Sequence, residues 1–144
     1  MKGSPAFPLA SCLLPLLLLV STGVSGGASW FSVKGPAETI TVLLGTDAIL
    51  PCQLSPEQSA AHMHIRWYRA QLTPAVLVFH NGQEQREMQM PEYQGRTQMV
   101  RDAIDTGSVA LKIQKVQASD DGLYHCQFTD GFTSQEVSME LRVI

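Results

Sequence analysis

The stretch "ASDDGLYHCQF", Ala118 to Phe128, places Asp120, Asp121, His125 and Cys126 within seven positions. These are the residue types of a cysteine nucleophile paired with an imidazole base and oriented by an acid. Together with His62, His64 and His80 they are also the types that ligate zinc through sulfur, imidazole and carboxylate. Either chemistry needs a cysteine thiolate that is free to act, and a fold that gathers the distant histidines at one place. Both conditions depend on the elements that carry these residues.

The front of the chain sets the compartment. Lys2 supplies a short basic region, "LASCLLPLLLLV" (Leu9 to Val20) is an apolar run interrupted only by Ser11 and Pro15, and the small residues "STGVSGGAS" follow. This three-part layout predicts a secretory signal peptide over residues 1–27, with cleavage between Gly26 and Ser29. The apolar run is shorter than the roughly 20 residues that span a bilayer, and no second run follows Ala28, so no membrane anchor is expected within the chain. Residues 28–144, about 115 in all, suffice for one domain with one core. Losing Lys2 leaves nine basic residues against thirteen acidic ones, with no Lys/Arg block. That mildly acidic balance argues against nucleic acid and anionic membrane as partners. Losing Cys12 leaves Cys52 and Cys126, which an oxidising secretory route joins as a disulfide.

From Phe31 onward the chain shows short period-two runs and no helical apolar stripe, an all-β pattern. Ala48, Leu50, Cys52 and Leu54 share one face, as do Met63, Ile65 and Trp67; Val109, Leu111 and Ile113; and Val137, Met139, Leu141 and Val143. Turn-forming clusters such as "HNGQ", "YQGR", "DTGS" and "TDGFTS" separate them. The runs predict eight or nine strands, each with one wet face, hence two packed antiparallel sheets.

Cys52 is followed fifteen residues later by Trp67, and Cys126 lies seventy-four residues beyond Cys52 in the run Asp120-x-Gly122-x-Tyr124-x-Cys126. This is the Cys…Trp…Cys spacing of an immunoglobulin domain, with its corner tyrosine two positions before the second cysteine. The span between the cysteines leaves room for two extra strands, which predicts a variable-type sandwich. In that frame Trp67 packs on the disulfide, the Tyr124 hydroxyl bonds back to backbone, Gly122 permits the turn, and Asp120 pairs with Arg96 of "YQGRTQMV". Cys126, Tyr124 and Asp120 are then committed to the fold, Asp121 reads as a solvated turn acid, and the histidines read as exposed residues beside a loop. No catalytic, cofactor-binding or metal site and no small-molecule substrate is expected.

The segments "FSVKGPAETI", "MPEYQGRT" and "QFTDG" carry a more specific likeness: residues 31–143 resemble the N-terminal V-set domain of the butyrophilin family, which includes myelin oligodendrocyte glycoprotein and is similar to the B7 costimulators. The resemblance implies a recognition module that binds a receptor on T cells, or another butyrophilin-type chain, and modulates T-cell activation and cytokine output. Adhesion or dimer assembly, including homodimers, is the alternative. The expected location is the outer side of the plasma membrane for a piece of a longer type I protein, and the secreted fraction otherwise. The chain departs from many relatives in lacking an Asn-x-Ser/Thr acceptor, since Asn81 is followed by Gly82 and Gln83.

If Trp67, Val76, Val78, Tyr124 and Cys126 point inward, then Arg66, Tyr68, Leu77, Phe79, His125 and Gln127 point outward on the same sheet. Tyr68, Leu77 and Phe79 are thereby expected to form an exposed apolar patch rimmed by Arg66 and histidines, the composition of an interface. The loops "SPEQSAAH", "HNGQEQREM" and "TDGFTSQE" form a second candidate surface, with Phe132 as its anchor.

Overall fold

The computed structural model describes residues 30–144, so the predicted signal peptide lies outside the described residues. Ten strands occur among the described residues: β1 (Ser32–Lys34), β2 (Ile40–Val42), β3 (Ala48–Ser55), β4 (His64–Tyr68), β5 (Leu77–His80), β6 (Gln83–Glu84), β7 (Thr97–Val100), β8 (Ser108–Ile113), β9 (Gly122–Asp130) and β10 (Thr133–Val143). They form one sheet ordered β1-β3-β8-β7 and another ordered β2-β10-β9-β4-β5-β6. Neighbours are antiparallel except β2, which runs parallel to β10. The count exceeds the expected eight or nine because one early run divides and because β6 is only two residues long.

That division has a local cause. β1 pairs with β3 in one sheet, whereas β2 pairs with β10 in the other. The crossing falls at Gly35-Pro36, where Pro36 offers no N–H to either ladder. Gly35 lets the chain pass close to β10: a Cβ there would lie 3.1 Å from Met139 Cε and 3.3 Å from Val137 Cγ1.

The alternating faces meet as predicted. Ala48, Leu50, Cys52 and Leu54 of β3 and Val109, Leu111 and Ile113 of β8 are buried against Ile65 and Trp67 of β4 and Tyr124, Cys126 and Phe128 of β9. The Cys52–Cys126 disulfide joins the two sheets across this core, with its Cα atoms 6.6 Å apart. Trp67 is the cross-strand partner of Cys126.

Below the core, the chain entering β9 is held by charge and hydroxyls. Asp120 is buried; its Oδ1 accepts from Arg96 Nη1 at 3.3 Å and its Oδ2 accepts from Arg96 Nη2 and from the Gln117 N–H at 2.7 Å. Tyr124 Oη donates to the Asp120 carbonyl at 2.6 Å and lies 3.0 Å from Tyr93 Oη. Because Tyr124 spends its one hydrogen on Asp120, Tyr93 is the donor between the two hydroxyls. Burial, then the Tyr93 hydroxyl, pushes the Tyr124 pKa far above its ordinary value, so it remains a donor. Arg69, which the sequence pattern did not single out, covers the Tyr124 ring at 4.7 Å and donates to Tyr93 Oη and to the carbonyls of Ser119 and Asp121. Gly122 has φ +134°, and a Cβ there would collide with Arg69 Nη2. Asp121 is not simply a solvated turn acid: its Oδ2 accepts the Val143 N–H at 2.9 Å and ties the end of β10 to this corner.

Tyr124→Phe should lower the unfolding free energy by about 1–3 kcal/mol, since it strands a buried carbonyl and the Tyr93 hydroxyl without adding volume. Urea unfolding followed by tryptophan fluorescence would measure it, and an unchanged midpoint would show that the hydroxyl chain adds nothing.

Candidate recognition face

The register between β4 and β5 decides which side chains the large sheet presents. Trp67 lies opposite Leu77 and Ile65 opposite Phe79, and directly paired residues share a face. Leu77 and Phe79 therefore enter the core, each 1% exposed, and the expected exposed patch of Tyr68, Leu77 and Phe79 does not exist. The Arg101 guanidinium, 5.2 Å from the Phe79 ring centroid, packs over that ring. The parity was one residue out, and a one-residue slip exchanges the two faces of a strand. Val78 is the residue that pairs with outward-facing Arg66, and it too is buried.

What the outer face carries instead is a polar network. The rings of Tyr68 and His125 stack at 4.6 Å. Tyr68 Oη reaches both carboxylate oxygens of Glu136 at 2.8 Å, so its one hydrogen is shared between them. Gln127 Nε2 donates to Glu136 Oε1 at 3.4 Å, and Ser138 Oγ lies 3.0 Å from His125 Nδ1. Burial, the hydrogen bond to Glu136 and the Glu136 charge push the Tyr68 pKa up to about 12, keeping the phenol a donor at physiological pH. Arg66, directed to the same face, donates through Nη1 to the Leu72 carbonyl at 2.6 Å and to Thr73 Oγ1 at 3.3 Å, pinning the β4–β5 connection. Thus Arg66, Tyr68, His125 and Gln127 come together on one surface, with Glu136 and Ser138 added by β10.

Ser138, His125 and Glu136 are a hydroxyl, an imidazole and an acid, but their arrangement is not a charge-oriented nucleophile. Both Ser138 Oγ and Glu136 Oε2, the latter at 3.7 Å, approach the same ring nitrogen, Nδ1. Activation of a hydroxyl needs the base on one ring nitrogen and the acid on the other. Cys126 and Asp120 are held by the disulfide and by Arg96. The histidines divide into pairs, His62 with Asp130 at 3.4 Å, His64 with His80 at a ring separation of 4.7 Å, and His125 with Tyr68. Among the described residues no group of three or more His, Cys, Asp or Glu has the geometry to hold a metal ion.

At the β9–β10 tip, Gly131 has φ +60° and occupies the first position of a two-residue turn between Asp130 and Thr133, as a type II′ hairpin requires. Phe132 at the second position is fully exposed.

The immunoglobulin V-set domain family matches residues 35–144 of the chain. The chain belongs to the immunoglobulin V-set family. This V-set domain is 86% identical over 144 residues to butyrophilin-like protein 1 of Mus musculus, covering all of the chain and 28% of that protein. It is 45% identical over 139 residues to butyrophilin subfamily 1 member A1 of Homo sapiens, covering 96% of the chain and 26% of that protein. The crystal structure of bovine butyrophilin superposes with a TM-score of 0.78 at 47% identity, over 80% of the chain and 55% of that structure. The V-set domain is thus related to butyrophilins and spans about a quarter of the length of the curated butyrophilin relatives it matches.

In V-set lettering, β10, β9, β4 and β5 are strands G, F, C and C′, so the polar network belongs to the GFCC′ face of the V-set domain. The sequence reading missed Glu136 and its junction with Tyr68 and Gln127. A signal was present: a two-residue turn at Gly131–Phe132 pairs Asp130 with Thr133, and counting back sets Gln127 opposite Glu136 and His125 opposite Ser138.

Proposed function

We propose that this V-set domain is an extracellular recognition module that binds a protein receptor through its GFCC′ face and the Phe132 tip, and that this engagement modulates T-cell activation and cytokine production. The observation that carries the reading is the surface itself. Tyr68, His125, Glu136 and Gln127 are pre-ordered by one another, and a fully exposed phenylalanine, Phe132, stands at the turn of the same β9–β10 hairpin. Tyrosine held in place by a hydrogen bond offers contact area at low entropic cost, and an exposed aromatic at a loop tip fits a concave apolar pocket on a partner. The kinship with butyrophilins supports a protein partner, either a receptor on T cells or another butyrophilin-type chain.

Phe132→Ala should leave stability within about 0.5 kcal/mol of the parent, because the ring is in solvent, yet weaken partner binding by about tenfold or more. Staining of activated T cells with multimers of the chain, beside thermal unfolding of the same preparations, measures both. Cytokine release from T cells on immobilised chain tests the signalling step. Equal staining by Phe132→Ala and by a Tyr68→Ala, Glu136→Ala double variant would remove the face and tip from the reading.

A further inference from the structure

We propose that His64 and His80, beside Arg66, form a pH-responsive element at the loop end of the recognition face, in which protonation of His64 pushes the β5–β6 turn away from β4. The inference rests on the proposed recognition function only for its effect on binding.

His64 near the start of β4 and His80 at the end of β5 face each other with ring centroids 4.7 Å apart and planes tilted by 35°. Arg66 Nη2 lies 3.5 Å from His64 Nε2. A guanidinium only donates, so His64 Nε2 must be the acceptor and carry no proton. Protonating it removes that acceptor and sets a second cation beside Arg66, with the His80 ring packed against it. The β9 residue opposite His64 is Thr129, which is uncharged. Arg101 Nη1 donates to the Gly82 carbonyl at 2.9 Å, a further cation against the same turn. The acids close by are engaged elsewhere: Glu84 accepts the Met99 N–H at 3.1 Å, Glu136 is held by Tyr68 and Gln127, and Asp130 pairs with His62 at 3.4 Å. Burial, then the Arg66 charge, then His80, holds the His64 pKa below 6.5.

Protonated His64 is repelled by Arg66, and the segment that yields is the tight turn at Asn81 and Gly82, with φ of 53° and 75°, which directly follows His80 at the end of β5. For His64 the linkage is fixed by its lowered value: the unfolded chain takes up the proton first, so stability present above pH 6.5 is lost as pH falls below it toward the folded value.

Histidine ring and backbone amide resonances, followed by NMR from about pH 8 to about pH 5, decide the matter. We expect His64 to titrate below 6.5, with the Asn81 and Gly82 amides shifting along its curve. His80→Gln should raise the His64 midpoint toward that ordinary value and uncouple the turn. A His64 midpoint at or above 6.5, or turn amides indifferent to it, would overturn the proposal. T-cell staining with chain multimers at about pH 7.5 and about pH 6 adds the functional arm: a loss of about fivefold at the lower pH is expected, and none with His64→Gln, His80→Gln. Equal staining of the parent at both values overturns the effect on binding. Absent staining at both overturns the recognition reading itself, while the ring titration still decides the switch.

Discussion

Replacing Arg96 by methionine lowers the unfolding free energy of this domain by about 3–5 kcal/mol, the expected cost of leaving a buried carboxylate without its partner. Asp120 sits with its side chain 2% exposed, whereas that of Arg96 is 18% exposed. The pair is therefore asymmetric. Without Arg96, the Asp120 carboxylate keeps the Gln117 N–H as its hydrogen-bond donor and only the more distant charge of Arg69. Without Asp120, the guanidinium still donates to the Glu92 carbonyl at 3.1 Å and packs 5.5 Å from the Tyr93 ring centroid, and its open side reaches water. Asp120→Asn should consequently cost less than Arg96→Met, because the asparagine oxygen can still accept from Gln117. Urea unfolding of the two single variants and the double variant gives the coupling directly. Equal costs, or a cost for Arg96→Met below about 1 kcal/mol, would place the interaction among ordinary surface pairs.

The second large effect concerns the disulfide. Cys52→Ala, Cys126→Ala should destabilise the domain by about 4–5 kcal/mol, because the bond closes a loop spanning 74 residues and so removes much of the freedom of the unfolded chain. Domains of this size hold about 5–15 kcal/mol in total, so the reduced form should be close to unfolding at body temperature. Comparing urea midpoints of the double variant with the oxidised parent tests this. A loss under about 2 kcal/mol would mean that the packing of Trp67 and its neighbours carries the core without the bond.

Much of this architecture is legible in residue order because strands with one wet face advertise their register. In β4 His64, Arg66 and Tyr68 alternate with Ile65 and Trp67, and in β3 Gln53 and Ser55 follow Cys52 and Leu54, so these residues could be assigned to the core directly. β5 gives no such signal. Ala75, Val76, Leu77, Val78 and Phe79 are all apolar and all buried, and a run apolar at both parities does not say which parity faces the core. The Asp120–Arg96 pair was readable from its position in the immunoglobulin pattern. Arg69 was not, because an arginine that reaches from the end of β4 over a tyrosine of β9 leaves no trace in local spacing. The Tyr68–Glu136 junction lies between: it joins residues 68 apart in the chain, yet the hairpin turn at Gly131 makes half of it countable.

Strand β10 runs unbroken for eleven residues from Thr133, beside the Phe132 tip, to Val143 at the opposite end of the domain, a length of about 35 Å. Tension applied between the tip and Val143 therefore travels along covalent bonds of a single extended strand. The ladders to β9 and β2 lie alongside this line and need not bear the load. A partner pulling at the tip would stretch a taut cord through the domain before it began to unzip any sheet.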